Sequence, residues 1–136
     1  MLEEIKMSFS GELLPPNQYG ALTLAYIGDC VYEMYVRSYL IAGHDHRVND
    51  LHKMATKLVC AKAQAEFYYS IENLLTEEEQ AVFHRGRNTK SQVPKHALLS
   101  DYRTATGVET LLGYLYLKGE SLRISQLMEH LFVDEK

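Results

Sequence analysis

The sequence predicts one all-α domain. Three observations carry that expectation. Apolar residues recur at three- and four-residue spacing through every long segment, no stretch alternates as a half-buried strand does, and Pro15-Pro16, Gly43, Arg85-Gly86 and Gly119 punctuate the helical runs. At 136 residues the chain can bury one core and is short for two domains. A hydrophobic share of 46% with 24% charged residues is that of an ordinary globular protein.

The elements follow in order. Residues 1–16 read as an irregular N-terminal arm closed by the Pro15-Pro16 pair, and 17–133 as the folded domain. Asn17 is placed to cap a helix running to about Ile41, where Gly43 stops it. "GHDHRVND" is a loop. From Val48 to Tyr69 a second helix is expected, opened by Asn49 and Asp50 as caps and carrying Leu51, Met54, Ala55, Leu58 and Val59 on one side. "TEEE", Thr76 to Glu79, is a capping box for a short helix ending near Arg85-Gly86. "GRNTKSQVPK" is a polar loop shaped by Gly86 and Pro94. Another helix spans Leu98 to Leu117, and Ser121 opens a last one through Phe132.

Composition excludes several classes. No run reaches the roughly 18 apolar residues of a membrane span, and the acidic start "MLEEIK" has no export-signal character, which points to the cytoplasm. Cys30 and Cys60 fall in apolar helical pattern and read as buried reduced thiols. The net charge of -4 argues against a generally basic nucleic-acid binder. The charge is unevenly spread, however. Between Ala81 and His96 the chain carries Arg85, Arg87, Lys90 and Lys95 with no acid.

Two acids break the pattern. Asp29 stands in "LTLAYIGDCVYEMYV" and Glu109 in "TGVETLLGYLYL", each among apolar neighbours, where an uncompensated carboxylate is costly. Two such groups relieve each other by converging on a hard divalent cation such as Mg²⁺. Ordinary ion pairs are the alternative: Asp29 by way of Glu33 and Arg37, and Glu109 with Arg103 or Lys118. "HDH", His44 to His46, reads as a solvated loop.

These residues also carry a resemblance. "AYIGDCVYE" resembles the signature helix of the ribonuclease III catalytic domain, and "TGVETLLGYLYL" is similar to that family's second acidic helix. "LHKMATKLVCAKAQA" resembles the helix between them. "RGRNTKS", "PK" and "YRTATG" look like the short Mini-ribonuclease III subgroup. The similarity spans about residues 17 to 131. Two hallmark acids are replaced, by Ala25 and Thr106, as in that subgroup, and no segment resembles a separate double-stranded-RNA-binding domain.

The resemblance implies a homodimeric endoribonuclease that cuts double-stranded RNA to 5′-phosphate and 3′-hydroxyl ends. Its substrate would be precursor large-subunit (23S) ribosomal RNA in a bacterial cytoplasm. Asp29 and Glu109 would be the catalytic and metal-binding residues, with Mg²⁺ as cofactor and Mn²⁺ as substitute. Glu33, Thr106 and Asp50 are candidates for an outer ring around the ion, and Tyr102 and Arg103 for supporting Glu109. Arg85, Arg87, Asn88, Lys90, Ser91 and Lys95 would meet RNA phosphates or 2′-hydroxyls. The competing reading is a non-catalytic RNA-binding scaffold of the same fold, motivated by the two missing acids.

Overall fold

A computed structural model describes residues 1–90 and 98–132. The α-helices in chain order are α1 (Leu2–Met7), α2 (Ala21–Ile41), α3 (Val48–Val59), α4 (Ala61–Ile71), α5 (Glu77–Arg87), α6 (Leu99–Leu117) and α7 (Ser121–Phe132). Short 3-10 turns occupy Pro16–Gln18 and Glu72–Leu74. Among the described residues there is no strand, so the all-α expectation holds.

α6 is the central element. From Thr104 to Leu115 every residue but Glu109 is buried. A helix apolar on all sides must be enclosed, and α2, α4 and α5 enclose it. α2 runs antiparallel to α6 at unusually close range. A Cβ on Gly28 would overlap the carbonyl oxygen of Glu109, and one on Gly113 would overlap that of Leu24. α5 approaches through a second glycine pair: a Cβ at Gly86 would collide with Thr110, and one at Gly107 with the Phe83 ring at 2.6 Å. Phe83 in turn stacks on Tyr68 of α4, with ring centroids 3.8 Å apart.

Several local expectations change. The N-terminal arm is not wholly irregular, since Leu2–Met7 is helical. Asn17 lies inside a 3-10 turn, and α2 starts after Gly20 with no side-chain cap. Asn49 and Asp50 sit within the first turn of α3, whose cap position is Arg47, so neither caps it. Asp50 still favours the helix electrostatically from there. The expected helix from Val48 to Tyr69 is two helices, broken at Cys60, whose backbone is extended (φ -65°, ψ 160°). One extended residue leaves the apolar spacing on both sides in phase, and no Gly or Pro marks it. Gly86 belongs to α5 rather than to a loop, because it is needed against α6 and not for a turn. The capping box is present: Glu79 N–H donates to Thr76 Oγ1 (3.1 Å) and Thr76 N–H to Glu79 Oε1 (2.9 Å).

Both cysteines are exposed and free, against expectation. Cys30 lies on an outward stripe of α2 with Leu22, Tyr26, Met34 and Ile41, all exposed. Helical spacing marks an apolar face, and says nothing of whether the same chain covers it.

Candidate active site

Asp29 and Glu109 meet. The glycine contact between α2 and α6 brings the two side chains within hydrogen-bonding reach of each other. Asp29 is exposed at the surface and Glu109 half-buried behind it. Neither has a basic partner among the described residues. Arg37 pairs with Glu33 (2.7 Å) and Lys118 with Glu78 (3.1 Å), while Arg103 makes no ion pair there. The ion-pair alternative for the two acids therefore fails on its own candidates.

The electrostatic consequence is large. The Glu109 carboxyl is pushed up to about 8, first by burial, then by the neighbouring Asp29, and also by Glu33. Only Gln64 works the other way, by hydrogen bonding. A carboxyl raised by burial and a like charge, standing in a cleft, is a recognised mark of a functional site.

The cleft beside Glu109 has a volume of about 580 Å³ and is walled by α6 and by the start of α4. Thr106, Tyr102 and Asp101 of α6 line it, as do Lys62 and Gln64. Thr106 is buried and its hydroxyl donates to the Tyr102 carbonyl (3.0 Å), so its single hydrogen is committed within its own helix. Glu33 is close enough to influence Glu109 while bound to Arg37. Asp50 is exposed on α3 and is not on the cleft wall. Tyr102 lies on the cleft wall, whereas Arg103 faces outward.

The basic segment is placed differently. None of Arg85, Arg87, Asn88 or Lys90 lines the cleft, and Ser91 and Lys95 lie outside the described residues. Arg85 donates through Nη2 to the Tyr19 carbonyl (3.1 Å), holding the chain before α2. Arg87 reaches Asn88 Oδ1 (3.5 Å). Lys62 is the one base on the cleft wall among the described residues, and nothing in its sequence context singles it out. Gln64 was likewise hidden, because a buried amide in an apolar run looks like a helix residue of no special kind.

The donor set suits a hard cation. Two carboxylates with no competing base match the one or two that Mg²⁺ takes while it keeps several waters. No third His, Cys, Asp or Glu joins them among the described residues. His44 and His46 stack on each other, with ring centroids 5.4 Å apart, and gather no further ligand.

An all-α domain in which two carboxylates converge from antiparallel helices is a frame able to hold a divalent cation. Residues 22–120 match the Ribonuclease III domain model, and the chain belongs to that family. Within it, the chain is similar to proteins named Mini-ribonuclease 3. It is 50% identical over 115 residues to that of Clostridium tetani, covering 83% of this chain and 76% of the relative. With that of Enterococcus faecalis identity is 45% over 115 residues, covering 82% and 87%. A crystal structure of a Fusobacterium nucleatum protein superposes with a TM-score of 0.78 at 30% identity, covering 88% of this chain and 96% of that one.

Proposed function

We propose that this chain is a metal-dependent endoribonuclease that cleaves double-stranded RNA and matures precursor large-subunit (23S) ribosomal RNA in the bacterial cytoplasm. The observation that carries the reading is the convergence of Asp29 and Glu109 without a basic partner, in a chain of the ribonuclease III family. A scaffold that only binds RNA has no use for a pair of carboxylates that repel each other and the RNA.

In this reading Asp29 and Glu109 hold Mg²⁺, with Mn²⁺ as a substitute. When bound, such an ion supplies a Lewis acid for the phosphate oxygens and a water of lowered pKa for in-line hydrolysis to 5′-phosphate and 3′-hydroxyl ends. Asp29 is the exposed member of the pair and faces the substrate. Glu109, set behind it, fixes the site to the central helix. Lys62 on the cleft wall is positioned to meet a backbone phosphate. Arg85, Arg87, Asn88, Lys90, Ser91 and Lys95 extend the contact along the duplex.

A homodimer supplies one such site for each strand. The exposed apolar residues Leu22, Tyr26, Cys30, Met34 and Ile41 on one face of α2 support this; on the helical projection Asp29 lies at the edge of that face and the Glu33–Arg37 pair within it. No described helix is long and apolar enough to cross a membrane.

The test is incubation with a labelled duplex RNA in Mg²⁺, in Mn²⁺ and in EDTA, with mapping of the product ends. Duplex cleavage in either ion and none in EDTA is expected. Cutting that persists in EDTA, or intact duplex in every condition, refutes the assignment.

A further inference from the structure

Gln64 holds an unusual position. It is 4% exposed on α4, and its Oε1 is the one buried side-chain polar atom without a hydrogen-bond partner among the described residues. Its Nε2 donates to the Val59 carbonyl (3.0 Å) and reaches Glu109 Oε2 at 3.5 Å. The second distance is long, as contacts in ligand-free sites often are before they tighten.

The orphaned oxygen is imposed by this geometry. Turning the amide over would set Oε1 against the Val59 carbonyl and the Glu109 carboxylate, an acceptor facing two acceptors. The Val59 carbonyl is available only because the chain is extended at Cys60 and α3 does not run on into α4. An apolar side chain of the same length would remove the orphaned acceptor, but it would also take the donors from the Val59 carbonyl and from Glu109. The amide therefore serves what it donates to.

We propose that Gln64 is a positioning residue for the metal site: anchored on the Val59 carbonyl at the α3–α4 break, it orients the Glu109 carboxylate for a divalent cation shared with Asp29. The inference rests on the metal-site reading above. Partners that orient metal-binding carboxylates commonly change affinity 10- to 100-fold when removed.

The test is Mn²⁺ binding, read by the electron paramagnetic resonance of the free ion, together with thermal unfolding in EDTA. Wild type, Gln64→Met, Gln64→Leu and Asp29→Asn are compared. Both Gln64 variants remove the donors and the orphan while keeping apolar bulk. Mn²⁺ affinity about tenfold weaker, with cooperative unfolding retained in EDTA, is the expected result. Affinity within twofold of wild type overturns the inference, and so does loss of folding in both variants, because either outcome makes the amide structural. If wild type shows no Mn²⁺ binding that Asp29→Asn removes, the metal reading itself has failed and this inference falls with it.

Discussion

Gly28 lies directly against the carbonyl oxygen of Glu109, where no side chain with a Cβ can stand. That contact explains the pairing of glycine and aspartate in the α2 motif. Gly28 lets the two backbones touch, and the next residue, Asp29, then emerges beside the Glu109 side chain.

Gly28→Ala should consequently destabilise the protein. Alanine gains up to about 1 kcal/mol over glycine in a helix interior, but overlap with a backbone oxygen forces the helices apart. Overpacking of this kind costs about 1–3 kcal/mol, occasionally more, and the overlap here lies at the severe end. We expect a net loss of about 2 kcal/mol in chemical denaturation. An unchanged or raised midpoint would contradict the close approach of α2 and α6.

Asp29→Asn and Glu109→Gln should each abolish duplex cleavage while the helical signal persists. Because burial beside Asp29 disfavours the ionised Glu109 carboxylate in the absence of metal, either change should leave the melting temperature in EDTA equal or higher. A cleavage rate within about threefold of wild type for either variant removes that residue from the catalytic pair.

The metal-free protein should lose stability as pH rises from about 4.5 to about 8. Glu109 is an acid whose carboxyl is raised in the folded state, so over this interval the unfolded chain binds fewer protons than the folded one. Stability from this group is complete below the ordinary value near 4.5 and is lost as pH climbs through about 8. In EDTA, Glu109→Gln should show a flatter profile of melting temperature against pH. A wild-type and variant pair with parallel profiles would falsify the assignment of the shift to Glu109.

Arg123 and Glu79 should behave in the opposite sense. Arg123 Nε and Nη2 each donate to the Glu79 carboxylate at 2.8 Å, and Nη2 also donates to the Leu74 carbonyl at 2.8 Å, tying α7 to the start of α5. The Arg123 hydrogen bonds come first among the influences that hold Glu79 below the usual carboxylate range. Its stabilisation is present above the unfolded value and disappears as pH falls through the lower folded one. Arg123→Met should cost about 2 kcal/mol at neutral pH and much less at pH 3. Equal losses at the two pH values would mean that packing, and not the ion pair, holds α7.

Replacing Lys90 and Lys95 together with alanine should weaken duplex binding and flatten its dependence on salt. For every phosphate left without its lysine, the slope of log affinity against log salt should fall by about one unit. Cleavage at saturating RNA should change little. A double variant with the wild-type affinity and slope would show that this segment does not carry the RNA.

The sequence by itself determined the helical class, the limits of α6 and α7 to within a residue or so, the capping box at Thr76, and the two acids as the chemically anomalous residues. Those features are local: periodicity, capping chemistry and a charge among apolar neighbours are all written in consecutive residues. It did not disclose the break at Cys60, the burial of Gly86 inside α5, the exposure of both cysteines, or the amide of Gln64 beneath Glu109. Each of these depends on what a distant part of the chain places opposite. Gly86 is set by Thr110 and Gly107, Gln64 by Val59 and Glu109, and the outward stripe of α2 by how much of it the rest of the chain leaves exposed. One extended residue can end a helix without disturbing its apolar spacing, and a helix face can be apolar without being covered. Only the packing of α2, α4 and α5 around α6 decided where these residues came to lie, because which side chains meet is a property of the assembled helices and not of any one of them.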